Sequence, residues 1–446
     1  VITLAKKGNL QQCQNYRTIS LISHASKVML KIILKRMKPQ VETIIAEEQA
    51  GFREGRSTIE QFFNLRIICE KYREQQRELH HIFIDFKKAF DRVWHKALWD
   101  TMARYNMGSK IISSIKNLYN NASSAVLFNG AIGDWFNTTV GVRQGCLLSP
   151  TLFNIFLERI MTDALEDHVS TVSIGGRTIS NLRFADDIDG LAGSENELKE
   201  LAYHLNRASR KFGMEISAEK TKTLSNSKKP LTVPITINGD ELEAVQHFKY
   251  LGAIIDEEGS TKEIRSRIAQ ASSALKKLKK IWKDQNITMK HKIRFLRALV
   301  FSIFLYASET WTMTNVHLKK IAAFEMRCYR NILGITYLDR ITNVTIRNTV
   351  KQHIGDHQDL VTIVKKRKLQ WFGHVIRSDG MAKTILQGYV EGNRRRGRPK
   401  KSWINNIEDW TELSLAEAQI IARDRKAWRR LVLMSSTWRP NDSSQS

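Results

Sequence analysis

The sequence predicts an α+β fold built from more than one structural unit, and three observations predict it. Residues 81–85 alternate like a strand and end on an acid; short strand and glycine-turn segments then continue to about residue 256; a long helix with a single apolar seam starts at Ser260. At 446 residues and 42% hydrophobic content, the chain is well above the size of one stable core, so two to four units are expected.

In chain order, residues 1–73 read as short turns followed by helices, with Ile32, Ile33 and Met37 on one apolar face and a helix start at Ser57-Thr58-Ile59-Glu60. His81, Phe83 and Asp85 then fall on one side of a strand, and Ile82 and Ile84 on the other. Trp94, Leu98 and Met102 stand four apart on the helix that follows. Beyond the glycine-punctuated core, Ser260 and Glu263 have the spacing of a capping box. Ile264, Ile268, Ala271, Leu275, Leu278 and Trp282 continue as one seam, with Arg265, Lys276, Lys279 and Lys283 on other faces. The apolar stretch at 298–307 suits a buried helix and is too short to cross a bilayer, so no membrane partner is expected.

Charge narrows the partner class. There are 71 Lys and Arg against 45 Asp and Glu, a formal net charge of +26, and such a surface attracts polyanions, nucleic acid first. Four scattered cysteines, Cys13, Cys69, Cys146 and Cys328, lack the pairing of a zinc site or a disulfide framework and fit a reducing compartment. Val1 opens the chain without Met and runs straight into patterned sequence, so the natural N-terminus is expected to lie upstream.

The chemistry is carried by acids. Residues 181–188 read as a hairpin with Asp186 and Asp187 at its tip, and a strand ends at Asp85. Adjacent acids in a turn are commonly just turn formers. Two buried strand ends that both carry carboxylates, however, leave like charges that call for compensating cations. Mg²⁺ takes oxygen ligands and is often held by one or two carboxylates plus substrate phosphates. A pair of such ions about 4 Å apart suits in-line nucleotidyl transfer. Between the acids lies a glycine loop, residues 141–145 (GVRQG), with Gln144 as a polar reader. A helix follows, with Ser149 as N-cap, Pro150 as first helical residue and Phe153, Phe156, Leu157 and Ile160 on one face.

Together, residues 83–91 (FIDFKKAFD), 141–150 (GVRQGCLLSP) and 184–187 (FADD) resemble, in order and spacing, the palm motifs of reverse transcriptases encoded by non-LTR, LINE-like retrotransposons. Residues 15–21 (NYRTISL) and 49–58 (QAGFREGRST) resemble the finger motifs of that family, while 213–222 (GMEISAEKTK) and 248–252 (FKYLG) resemble its later palm motif and primer grip. The resemblance implies a right-hand polymerase fold: fingers at 1–75, a palm with a ferredoxin-like antiparallel sheet and helices at 76–258, a helical thumb at 259–335, and a basic helical accessory region at 336–446. It implies an RNA-directed DNA polymerase that uses two Mg²⁺ ions, with Mn²⁺ as a possible substitute, on an RNA template, a DNA primer or target and deoxynucleoside triphosphates. Its work would be nuclear, after a cytoplasmic ribonucleoprotein stage.

By the same resemblance, Asp85, Asp186 and Asp187 bind metal and Lys220 passes a proton to pyrophosphate. Phe90 blocks a ribose 2′-hydroxyl, Phe86, Gln144 and Gly145 meet the nucleotide and template, Arg53 meets the triphosphate, and Tyr250, Leu251 and Gly252 form the primer grip. Two positions depart from the family pattern: Thr18 replaces a proline, and Asp189 stands where an apolar strand residue is commoner. Arg396-Gly-Arg398-Pro resembles the core of an AT-hook, with Arg396 and Arg398 entering a minor groove. Trp371, Trp403, Trp410, Trp428 and Trp438 are candidates for base stacking, although the spacing of Trp403, Ile407 and Trp410 also fits a small core. Two other readings share these features: a domesticated, non-catalytic RNA-binding protein, and an RNA-templated RNA polymerase, against which Phe90 argues.

Overall fold

The computed structural model describes residues 1–436 apart from 7, 121, 228–231, 257–258, 395 and 398. Its contacts form two compact units, Val1–Gln61 with Glu78–Val245, and Phe62–Arg77 with Gln246–Ser446. This division differs from the four-part reading: residues 62–77 group with the later part of the chain.

The first unit is organised by a five-stranded sheet in the order Asn181–Phe184, Asp187–Ala192, His80–Ile84, Lys222–Ser225, Glu243–Ala244. All neighbours are antiparallel except the last pair. His80–Ile84 lies inside the sheet and is buried at every position, which suits its β-branched and aromatic side chains. Two helices, Ser149–Leu165 and Glu195–Lys211, contribute Leu152, Phe153, Phe156, Leu198, Leu201 and Leu205 to the core shared with Ile82 and Ile84. The second helix is well specified. Ser194 accepts a hydrogen bond from the Glu197 backbone, acids occupy its first turn, and Arg210 and Lys211 its last. A separate four-stranded sheet contains Ile2–Ala5 and Tyr16–Ile19, where Thr18 pairs with Thr3, so the residue that replaces proline sits in regular strand.

The second unit is mainly helical. The seam helix runs Thr261–Lys277 and breaks at Leu278 before a short Lys279–Lys283 helix, so the expected single helix is two. The expected capping box does not form. Ser260 Oγ instead accepts from Arg66 and from the Thr312 backbone, and Glu263 takes the Ile254 backbone N–H and Arg267. Tertiary partners have outbid a local cap. Ile346, Val350, Leu360 and Val364 share one hydrophobic core with Ile264, Leu275 and Phe324, so residues beyond 335 pack with the expected thumb segment. The apolar stretch at 298–307 is buried on one side only: Val300, Phe301, Phe304, Leu305 and Ala307 are buried, Ala298, Leu299 and Ser302 are exposed, and the stretch begins within a π-helical segment, Leu296–Phe301. No helix among the described residues is long and apolar enough to cross a membrane.

Candidate active site

Strand register brings the acids together. Ile84 pairs with Ile188, so the next position along each strand sets Asp85 opposite Asp187, and Ala185 and Asp186 form the turn that joins Phe184 to Asp187. All three carboxylates therefore stand at one end of the sheet. Burial pushes the Asp186 carboxyl up and Asp85 adds to the rise, while Asp186's own backbone N–H, Arg17 and Lys220 oppose it. Asp187 keeps solvent contact, yet desolvation around its carboxyl, then the charges of Asp186 and Asp85, push it up to about 6. The end of the sheet is thus short of positive charge, the condition that a bound cation relieves. Among the described residues no group of three or more His, Cys, Asp or Glu could by itself hold a metal ion. Carboxylates that hold Mg²⁺ jointly with substrate phosphates do not require such a cage.

Lys220 supplies one nearby cation, with Nζ 3.4 Å from Asp85 Oδ1. Backbone pairing carries it there: Ser217 N–H donates to Asp85 O (2.9 Å) and Lys87 N–H to Glu215 O (2.8 Å). Arg17 is a second. It is exposed on the Tyr16–Ile19 strand and its field reaches Asp186.

The acid hairpin is braced from residues 48–51. Gln49 Oε1 accepts from the Gly51 and Ala185 backbones, both at 2.8 Å, while its amide donates to Ala185 O at 3.2 Å. Ala50 N–H donates to Arg183 O and Arg183 N–H to Glu48 O, both at 2.9 Å, so this segment pairs with the hairpin's outer strand. Gly51 is required by close approach, since a Cβ there would lie 2.1 Å from Ala185 N. Arg183 makes a buried pair with Glu158 at 3.2 Å. Two residues along the strand from Asp187, Asp189 is fully buried and faces His81 Nδ1 at 3.2 Å, so it is an internal partner of histidine.

Around the acids, Phe90 stacks on Phe153 with centroids 4.7 Å apart, and Phe52 meets Phe90 edge-on at 6.2 Å. The glycine loop docks on the same turn: Gly141 N–H donates to Val93 O (2.8 Å) and Val142 N–H to Phe90 O (2.7 Å). The Gln144 side-chain amide donates to Asp91 Oδ1 at 3.2 Å, and its backbone carbonyl accepts from Ser20 N–H at 2.8 Å. Gly145 is exposed with φ 98. The following helix starts one residue earlier than expected, with Leu148 as N-cap and Ser149 inside, its hydroxyl making no cap bond.

The remaining expected site residues differ in exposure. Phe86 belongs to the core at 5% exposure, and its backbone bridges Ile216. The Arg53 side chain, only 9% exposed, is folded onto Glu42, Ala46 O and Gln49 O, which take four of its five N–H donors. Tyr250, Leu251 and Gly252 belong to the second unit, at the turn of the His247–Tyr250 and Ala253–Asp256 hairpin; Tyr250 is buried, and Leu251 and Gly252 have φ 46 and 83. Arg396 is exposed, whereas Arg398 and Trp438 lie outside the described residues. Trp403 and Trp428 are buried and cannot offer faces to bases; Trp403 packs against Phe63 and Phe372, and Trp428 against Phe372.

Sequence reasoning missed Gln49, Gly51 and Arg17 as individual contributors. The QAGF run was its own signal for the first two. For Arg17 the signal was a lone arginine in a strand-like segment, which patterning alone does not aim at an acid.

The chain matches the family described as "Reverse transcriptase (RNA-dependent DNA polymerase)" over residues 4–255. It is 25% identical over 370 residues to the probable RNA-directed DNA polymerase from transposon X-element of Drosophila melanogaster, covering 77% of this chain and 39% of that protein. It is 25% identical over 369 residues to the RNA-directed DNA polymerase from mobile element jockey of Drosophila funebris, covering 80% of this chain and 40% of that protein. The chain thus spans about two fifths of the length of these curated relatives, which are non-LTR retrotransposon proteins. Among solved structures, apo telomerase from Candida tropicalis truncated from its C-terminal domain aligns with TM-score 0.41 at 16% identity, over 54% of this chain and 51% of that one. The matched segment takes in the whole acid-bearing sheet and the elements that brace it, and with it the chain belongs to the reverse transcriptase family.

Proposed function

We propose that this chain is the RNA-directed DNA polymerase of a non-LTR retrotransposon, extending a DNA 3′ end on an RNA template with deoxynucleoside triphosphates. The observation that carries the reading is the convergence of Asp85, Asp186 and Asp187 at one end of the sheet, where burial and then the charge of Asp85 push the Asp186 carboxyl up, and burial, Asp186 and Asp85 push up that of Asp187.

Reverse transcriptases use divalent metal ions. Here Asp85 and Asp186 would hold two Mg²⁺ ions, with Asp187 as the adjacent acid, and Mn²⁺ could replace them. When bound, the ions activate the attacking 3′-hydroxyl and stabilise the pyrophosphate that leaves. The protein's own groups do the rest. Lys220 Nζ, 3.4 Å from Asp85 Oδ1, would hold a proton for the departing pyrophosphate. Arg17, exposed and with a field that reaches Asp186, is the proposed triphosphate contact, a planar fork suited to phosphate. Phe90, packed on buried Phe153, is a rigid wall against a ribose 2′-hydroxyl. Gln144, with its side-chain amide on Asp91 and its backbone carbonyl on Ser20 N–H, would meet the template pair from the glycine loop. Leu251 and Gly252 would present backbone to the primer. The basic second unit, including Arg396, would hold nucleic acid by its phosphates. The site of action is the nucleus after a cytoplasmic ribonucleoprotein stage, which imaging of the tagged chain checks; exclusion from nuclei would count against it.

Primer extension on an RNA template by wild type and Asp186→Asn tests the reading. Incorporation by wild type and its loss in the variant are expected. Equal incorporation by both would end the metal assignment.

A further inference from the structure

Phe52 is held where a bulky side chain rarely sits. Its φ is 59, in the left-handed region, and its ring is 55% exposed. Its neighbours impose this. On one side Gly51 is pressed against the Ala185 and Phe184 backbones, with its carbonyl held by Asn154 Nδ2 at 2.7 Å. On the other side Arg53 is tied to Glu42, Ala46 O and Gln49 O. The chain between two pinned residues has no freedom to bury the ring. The ring does have one aromatic contact: it meets Phe90 edge-on, with centroids 6.2 Å apart and planes at 83°, a favourable aromatic geometry. Phe90's other ring contact, Phe153, is fully buried in the core, so Phe52 supplies the contact on the solvent side.

We propose that Phe52 is a positioning residue for sugar selection, whose strained, exposed ring keeps Phe90 in the rotamer that excludes a ribose 2′-hydroxyl. The inference rests on the reading of Phe90 as the sugar gate and adds a second residue to it. Phe90 is only half-buried. Stacking on Phe153 fixes one face, and among the described residues Phe52 is the aromatic contact that limits its swing toward solvent. The cost of left-handed backbone at a phenylalanine is tolerated because the same turn that braces the acid hairpin delivers the ring to the gate.

The test is single-nucleotide addition to a DNA primer on an RNA template, comparing kcat/KM for a deoxynucleotide and its matching ribonucleotide. The proteins are wild type, F52G, F90A and F52G/F90A. Glycine is chosen because it adopts φ 59 without strain, so a fall in selectivity is not a symptom of misfolding; thermal unfolding verifies this. F52G is expected to lower the deoxy-to-ribo ratio roughly three- to tenfold, the scale of one aromatic pair. F90A should lower it further, the double variant should match F90A, and F52Y should retain the wild-type ratio. A merely structural role for Phe52 would depress both nucleotides equally and leave the ratio fixed. If F90A relaxes selectivity while F52G does not, or if the two effects multiply, the proposal is overturned and the gate survives. If F90A itself leaves the ratio unchanged, the gate reading fails and takes the proposal with it. Should F52G not fold, F52L reads the same ratio, because it keeps bulk and loses the ring edge.

Discussion

Replacing Arg53 with alanine separates two roles for one side chain. Folded as it is, Arg53 gives two bonds to Glu42 Oε2, at 3.0 and 2.8 Å, one to Ala46 O at 2.7 Å and one to Gln49 O at 3.0 Å. Each carbonyl bond contributes about 1 kcal/mol net. The Glu42 pair, whose acid side chain is 38% exposed, adds about 0.5–1 kcal/mol after screening. Arg53→Ala should therefore cost about 3 kcal/mol. For a unit of this size, where 1 kcal/mol moves the midpoint by about 2–4 °C, that is a fall of roughly 6–12 °C. Arg53→Lys keeps the charge but not the fork, and should recover about a third of the loss. Thermal unfolding and KM for deoxynucleotide, measured well below the midpoint, are the assays; KM should change no more than a few-fold. An unchanged midpoint with KM raised more than about tenfold would refute the clamp and return Arg53 to the triphosphate.

The opposite pattern is expected of Arg17→Ala: its side chain is exposed and its field reaches Asp186, so KM for deoxynucleotide should rise about tenfold, the effect of one charge-assisted hydrogen bond, with the midpoint nearly unmoved. Steady-state kinetics with an unaltered KM would remove Arg17 from the site. In the second unit, Glu325 is buried and its carboxyl is pushed up to about 8, chiefly by desolvation and then by Asp359, against hydrogen bonds from the Leu360 backbone and Tyr329. A carboxyl raised in the folded state stabilises fully below its unfolded value near 4.5, and that contribution is lost as pH rises through about 8. Glu325→Gln should match wild type near pH 4.5 and gain on it progressively up to pH 8, as seen by thermal unfolding across that window; parallel pH profiles would contradict the buried-acid assignment.

The sheet was legible because its signals are local. Alternation at 81–85, the hairpin at 181–188 and the cap at Ser57 each follow from side-chain period or a short-range hydrogen bond, and each is present. The expected box at Ser260 and Glu263 failed for the complementary reason: Arg66 and the Thr312 backbone, 194 and 52 residues away in sequence, compete for Ser260 Oγ. Local spacing carries no information about such competitors. Phe86 shows the same limit in the core. It adjoins Asp85 in sequence, yet it is buried and its backbone bridges Ile216, and that pairing is a tertiary fact. Arg53 shows the limit again: a motif states which residue type recurs and leaves open that this side chain touches Glu42, Ala46 O and Gln49 O.

The QAGFR segment explains why these residues travel together. Gln49 and Gly51 hold the turn that carries Asp186, and Arg53 ties the same backbone to Glu42 and Ala46. Phe52, between them, meets the ring proposed to sense the sugar. Metal-binding carboxylates must be held to within about half an ångström to be useful, and a two-residue hairpin turn cannot do that by itself. Here a neighbouring backbone pairs with the hairpin's outer strand, one glutamine bridges both backbones, and a glycine permits the contact. A segment that the family resemblance reads as a finger loop is therefore, in its own contacts, the brace of the acids.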